Sequence, residues 1–171
     1  MRGGAPDGRG TVGLSRVVLS AAPKGGKTGA PGLGGHAGIC IIDGAVCCLA
    51  QIDMKRLVAF PSVAHMGFGM LGIATLTDFG LNAAIFGMVA HGLITGMLFF
   101  IAGSVQHNYG TRELSRLGGL LKQAPKMGWI LGFCAMARLG LPGLAGFWGE
   151  FPAVLAPFNP GGALSQPLFR T

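Results

Sequence analysis

From residue 39 onward the chain alternates between long apolar runs and short polar spacers. The runs cover 39–52, 57–76, 81–105 and 127–158, and the last is interrupted at 140–143 by the sequence GLPG. About 20 helical residues cross the hydrocarbon core of a bilayer. A helix satisfies its own backbone in lipid, and no run shows the alternation of a barrel strand. The pattern therefore predicts an all-α, polytopic membrane protein with about four transmembrane helices, the last one broken.

The first 38 residues have a different composition. They contain twelve glycines and three prolines, and their only apolar cluster is the short stretch at 17–19. Such a segment buries too little apolar surface to offset the entropy lost on ordering. We therefore predict a disordered Gly-rich head at 1–38 and a membrane domain at 39–171.

Composition excludes the soluble classes of protein. Half of the 171 residues are hydrophobic and only 11% are charged, whereas soluble domains carry about a quarter charged residues. The formal net charge of +7 comes from thirteen Lys and Arg scattered between the apolar runs, without the basic stripe typical of nucleic-acid binding. The four cysteines lack disulfide or metal-site spacing and are interpreted as apolar filler. We expect a lipid bilayer as partner, and no nucleic acid.

Basic residues set the predicted orientation. The spacers at 53–56 and 106–126 carry most of the Lys and Arg of the membrane domain, whereas the turn at 77–80 carries only Asp78. Basic loops stay on the cytoplasmic side. Both basic spacers should therefore lie on that side and the turn on the other.

Several titratable residues fall inside the apolar runs. His65 lies in the second run, His91 in the third and Glu150 in the fourth, and Asp43 and Arg138 are also within runs. Charges at membrane depth cost a few kcal/mol, so each requires an explanation. A lone histidine can be a satisfied interior hydrogen-bonding group. A carboxyl with imidazoles on neighbouring helices can instead form a proton relay, which we predict for Glu150, His91 and His65.

The interruption in the fourth run is open to two interpretations. Pro142 cannot donate a helical hydrogen bond, and Gly140 and Gly143 flank it. The segment is either a simple kink or a helix break whose freed backbone lines a hydrated path beside Glu150.

Five short segments resemble a known family. They are QIDMKRLVAFPSVAHMG at 51–67, MVAHG at 88–92, TREL at 111–114, LGLPG at 139–143 and GEF at 149–151. In this order they resemble the antiporter-like, proton-translocating membrane subunits of respiratory complex I, NADH:quinone oxidoreductase. The spacing is similar to the chain M type, which matches mitochondrial chain 4.

The resemblance implies a fold and a function. The family has a fourteen-helix antiporter-like fold related to Mrp-type cation/proton antiporters, and 39–171 would supply most of its second repeat. Glu150 matches the acidic position of the family's broken helix, and His65 and His91 match its membrane histidines, so the implied activity is proton translocation. Electron transfer from NADH through FMN and iron–sulfur clusters to quinone would take place elsewhere in the complex. The resemblance thus implies no cofactor or metal in this chain, other membrane subunits of complex I as partners, and a bacterial cytoplasmic membrane.

The chain also departs from the family's pattern. Asp43 stands where the family usually has Tyr, Pro61 where it has Ser, and Arg138 where it has a small residue; the head resembles nothing in the family. We therefore expect an incomplete fragment joined to a foreign head. Two alternatives remain: a non-functional small membrane protein that retains the fold, and a subunit of an Mrp-type antiporter.

Overall fold

The computed structural model describes residues 23–158 as a set of packed helices. The long helices are α1 (Pro23–Leu49), α2 (Met54–Ala74) and α3 (Asp78–Tyr109), followed by the shorter α4 (Leu120–Gln123), α5 (Pro125–Arg138) and α6 (Ala145–Leu155), with 3-10 turns at Leu114–Arg116 and Ala156–Phe158. Gly29–Leu49 of α1, α2 and α3 are each long and apolar enough to cross a membrane. Within 23–158 the strand-like pairing is limited to one isolated bridge between Asp53 and Glu113. The predicted all-α, polytopic architecture is confirmed.

The fourth apolar run forms two helices instead of one. α5 has 14 residues and α6 has 11, so they are about 21 Å and 16 Å long, each shorter than the ~30 Å hydrocarbon core. Between them Gly140 and Gly143 adopt positive φ angles of 68° and 93°. This left-handed conformation favours glycine over residues with a Cβ. The predicted break at 140–143 is therefore present as a turn between two half-length helices.

The predicted boundary at residue 39 is wrong. α1 begins at Pro23, so residues 23–38 of the expected disordered head are helical. Residues 1–22 of that head, like 159–171 at the other end, lie outside the described residues. The prediction of disorder failed because the composition of a segment reflects only the apolar surface that the segment can bury by itself.

Small residues explain how the Gly-rich part of α1 is stabilised. Ala37 of α1 is fully buried, and a Cβ on Gly67 of α2 would lie 3.0 Å from its carbonyl oxygen. Two turns further along α1, a Cβ on Gly44 would lie 2.7 Å from the backbone nitrogen of Ala64. Close backbone approach through Gly and Ala is how membrane helices gain packing contacts. Packing against α2 therefore outweighs the low helix propensity of glycine.

The two basic spacers meet at one end of the helices. Asp53 caps α2 by accepting from the backbone N–H groups of Lys55 and Arg56, and its Oδ2 lies 3.2 Å from Nε of Arg112. Backbone hydrogen bonds join Met54 to Arg112 at 3.0 Å and Leu114 to Ile52 at 3.0 Å. The two spacers thus share one side, as predicted, while the assignment of that side to the cytoplasm stays a prediction.

Candidate functional site: an acid and two imidazoles at a helix break

The three side chains predicted to relay a proton come from three helices and lie together. Nδ1 of His65 on α2 is 2.5 Å from Oε1 of Glu150 on α6. The ring of His91 on α3 is tilted by 40° against that of His65, with ring centroids 5.0 Å apart. The side chains of His65 and Glu150 are 16% and 25% exposed. The structure therefore forms one continuous acid–imidazole–imidazole cluster inside the helix packing.

Glycines place the carboxyl group beside the histidines. A Cβ on Gly149 would overlap the backbone of Gly87, which lies on α3 one turn before His91. The two helices therefore touch backbone to backbone immediately next to Glu150. The turn between α5 and α6 also reaches the cluster, since a Cβ on Gly140 would lie 3.0 Å from Oε2 of Glu150.

The three residues of the predicted break have different positions. Gly140 adjoins the carboxyl group, whereas Pro142 and Gly143 are exposed and do not line the cavity beside Glu150. Pro142 and Gly143 form part of the turn, and Gly140 is the one of the three that lies beside the carboxyl group of Glu150.

Arg138 does not form an ion pair with Glu150 within the described residues. It extends from the end of α5 towards α2 and α3, where Nη2 donates to the carbonyl oxygen of Val58 at 2.8 Å and to Oγ of Ser62 at 3.4 Å. Nη1 donates to Oγ1 of Thr95 at 3.5 Å. The acid is hydrogen-bonded to His65, and the two terminal nitrogens of the guanidinium donate to backbone and hydroxyl oxygens.

Two hydroxyl residues of the site were missed by sequence reasoning. Oγ1 of the buried Thr95 lies 3.2 Å from Nε2 and 3.4 Å from Nδ1 of His91, and Ser62 is the buried partner of Arg138. Each carries a weak signal in the sequence: Thr95 follows His91 by four residues and Ser62 precedes His65 by three, which places each on the same helix face as its histidine.

A small cavity joins these groups. It has a volume of about 30 Å³ and is lined by His65, His91, Arg138 and Glu150 together with apolar residues. That volume accommodates a water molecule, and the polar lining supplies its hydrogen-bond partners. A proton can pass between the carboxyl and the ring of His65 along their hydrogen bond, and on to His91 after a small movement or through water. In the part of the chain that the structure describes, no three His, Cys, Asp or Glu side chains are grouped as metal ligands.

The fold and the cluster define a class of protein: a multi-pass helical membrane protein with titratable side chains clustered at a broken helix. Residues 10–161 match the family model described as "NADH:quinone oxidoreductase/Mrp antiporter, TM". Because the match covers most of the sequence, the chain belongs to this transmembrane family.

Individual relatives agree with this assignment. The chain is 40% identical over 146 residues to the chloroplastic NAD(P)H-quinone oxidoreductase chain 4 of Chaetosphaeridium globosum, covering 85% of this chain and 29% of that one. It is 39% identical over 150 residues to NADH-quinone oxidoreductase subunit M of Rhodobacter capsulatus, covering 88% and 29%. A chain of the solved structure "Respiratory complex I from Thermus thermophilus with bound NADH" superposes with a TM-score of 0.82 at 32% identity, covering 95% of this chain and 36% of that one.

Two consequences follow from these matches. The chain spans about 29% of the length of these two curated relatives. The family match begins at residue 10, so the expectation that the whole head 1–38 is foreign to the family is wrong. The helical residues 23–38 lie within the matched range.

Proposed function

We propose that this chain takes part in proton translocation within the membrane arm of an NADH:quinone oxidoreductase. The observation that carries the proposal is the hydrogen bond between His65 and Glu150, with His91 packed beside it and a water-sized cavity at the helix break. The similarity to subunit M and chain 4 proteins of quinone oxidoreductases supports it.

In this proposal the three side chains carry the proton in sequence. The proton moves between His91 and His65, and then from Nδ1 of His65 to Oε1 of Glu150. Imidazole suits this role because one ring nitrogen accepts a proton while the other donates one. Glu150 passes the proton on beside Gly140, where the backbone of the turn adjoins its second oxygen.

The remaining components belong to the assembly. Electron transfer from NADH through FMN and iron–sulfur clusters to quinone takes place in other subunits, and this chain contributes proton carriers alone. Its partners are other membrane subunits of the complex, in a bacterial cytoplasmic membrane. The support is the relative from Rhodobacter capsulatus and the matched complex from Thermus thermophilus.

The test replaces the carboxyl group of Glu150 with an amide of nearly the same shape. Inverted membrane vesicles from cells carrying Glu150→Gln should show proton uptake driven by NADH reduced about a hundredfold, since a proton-transfer group contributes that much or more. Glu113→Gln is the matched control, because Glu113 pairs with Arg116 and Ser115 away from the cluster. Equal proton uptake in the two variants would refute the relay.

Measurements on the same vesicles distinguish the proposed function from its two alternatives, an Mrp-type antiporter and a non-functional membrane protein. An Mrp-type antiporter would exchange protons for Na⁺ without NADH, and that exchange would require Glu150. A non-functional membrane protein would fail to co-purify with quinone oxidoreductase subunits, and neither substitution would change proton uptake. Co-purification together with NADH dependence supports the proposed function.

A further inference from the structure

We propose that Arg138 is a positioning residue that, through Thr95, favours a neutral imidazole at His91 between proton transfers. The use of this arrangement in transport rests on the proposed function, whereas the protonation state of His91 can be measured without transport. The inference begins with the guanidinium itself, which has five N–H donors, accepts no hydrogen bond and does not release a proton in proteins.

The contacts of Arg138 set the direction of the neighbouring hydrogen bonds. A group bonded to Arg138 must accept from it, as the oxygens of Val58 and Thr95 do. The hydroxyl of Thr95 has a single hydrogen of its own. Because its oxygen accepts from Nη1 of Arg138, that hydrogen is free to point to the ring of His91, whose nitrogens lie 3.2 Å and 3.4 Å away.

The direction of the hydrogen bond from Thr95 favours one protonation state of His91. A hydroxyl can donate to an imidazole only where a ring nitrogen carries a lone pair, and a doubly protonated ring has none. The chain of donors from Arg138 through Thr95 therefore matches a neutral His91. A protonated ring would turn its N–H towards an oxygen that already accepts from a cation.

The other charged groups around His91 favour the same state. His65 faces it from α2, Glu150 lies in the same cavity from α6, and Arg138 enters from α5. The carboxylate is hydrogen-bonded to His65, while the guanidinium stands beside His91 through Thr95. A second positive charge next to a fixed cation is disfavoured, which favours the neutral ring of His91.

One atom of Arg138 points to a further contact. Nε is buried and has no hydrogen-bond partner among the described residues. A buried donor without an acceptor costs about 1–3 kcal/mol, and Arg138 lines the cavity of about 30 Å³ beside His91. A water there would accept from Nε and direct its own hydrogens to the acceptors of the cavity, reinforcing the same direction.

The experiment is ¹⁵N NMR of the full chain in lipid vesicles, with labelled histidine and His91 assigned by its loss in His91→Gln. His107, which is exposed in the last turn of α3, is the internal reference. At a pH at which the reference ring carries two protons, the His91 ring should still give the two separate nitrogen signals of a neutral imidazole. In Arg138→Met, which keeps side-chain length but removes charge and donors, His91 should become protonated together with the reference.

Thr95 provides a milder second variant in case Arg138→Met does not fold. Thr95→Val keeps the shape but removes the hydroxyl, and should change the ratio of the two neutral His91 tautomers by about two- to tenfold, whereas Thr95→Ser should leave it unchanged. A His91 ring that becomes doubly protonated together with His107 in the unmodified chain overturns the inference, as does an unchanged tautomer ratio in Thr95→Val. Loss of pumping in Glu150→Gln with a protonated His91 would leave the proposed function standing and remove the role of Arg138.

Discussion

Glu150 and Asp43 are both acids inside apolar helices, and their surroundings differ completely. Glu150 lies in the interior, where Nδ1 of His65 meets its carboxyl and glycines let three helices converge. Asp43 is exposed on the outer face of α1, and its carboxyl accepts a long hydrogen bond of 3.8 Å from the thiol of Cys47. An acid in an apolar run is thus a signal of function only when tertiary packing supplies a titratable partner.

The same contrast holds for the glycines of the two regions. Those at the junction of α3 and α6, such as Gly149 and Gly87, are required by contact between backbones. Those on the outer face of α1, such as Gly35, have open space where a Cβ would be. Glycine is therefore required at the interior junction of α3 and α6, whereas glycine on the outer face of α1 can be replaced.

The largest expected effect comes from separating α6 from α3. Gly149→Val places a side chain where the backbone of Gly87 lies, and should lower the free energy of unfolding by about 3 kcal/mol while moving Glu150 away from His65. Gly35→Val on α1 is the matched substitution and should cost less than about 1 kcal/mol, since nothing lies within 4 Å of its Cβ. Reversible unfolding in mixed micelles measures both. Equal losses would show that the interior junction is not tighter than the outer face.

A second expected effect compares the two acids directly. Glu150→Ala leaves Nδ1 of the half-buried His65 without its partner and should destabilise the chain by about 2 kcal/mol. Asp43→Ala should change the free energy of unfolding by no more than about 0.5 kcal/mol, because the carboxyl is exposed. The same micelle assay applies. A larger loss for Asp43→Ala would reverse the comparison.

A third comparison lies within α1 itself. Gly44→Ala puts a methyl group 2.7 Å from the backbone nitrogen of Ala64 on α2, and should destabilise the packing of the two helices by about 1–2 kcal/mol. Gly38→Ala meets nothing within 4 Å and should stabilise the helix by about 0.5–1 kcal/mol. Opposite signs in thermal unfolding are expected. The same sign for both would show that α1 is not seated on α2 through Gly44.

The smallest expected effect concerns the spacers at the end of the helices. Asp53→Ala removes the cap of α2 and the contact with Arg112, and should lower the free energy of unfolding by about 1 kcal/mol. Asp78→Ala is the control, since Asp78 is an exposed first-turn residue of α3 and contributes about 0.5 kcal/mol through the helix dipole. Chemical denaturation of the solubilised chain distinguishes the two. An equal or larger loss for Asp78→Ala would argue against a stabilising contact between the spacers at 53–56 and 106–126.

Much of the fold was predictable because its signals are local. Apolar runs of membrane length at 57–76 and 81–105 correspond to α2 and α3 within a few residues, and Gly140, Pro142 and Gly143 marked the break. The start of α1 was not predictable from composition, since this segment is packed through its buried Ala30 and Ala37, the latter against Gly67 of α2. The composition of one segment contains no information about the surface that another segment offers it.

By itself the sequence determined the class of the protein, the two long apolar helices α2 and α3, the position of the break and the three titratable groups of the cluster. Each follows from residue type and spacing along one chain. Tertiary structure alone decided that Glu150 meets His65, that Arg138 contacts Thr95 and not the acid, and that Asp43 faces outward. Those pairings join residues up to 85 positions apart, and they depend on how closely helices approach, which only packed backbones can define.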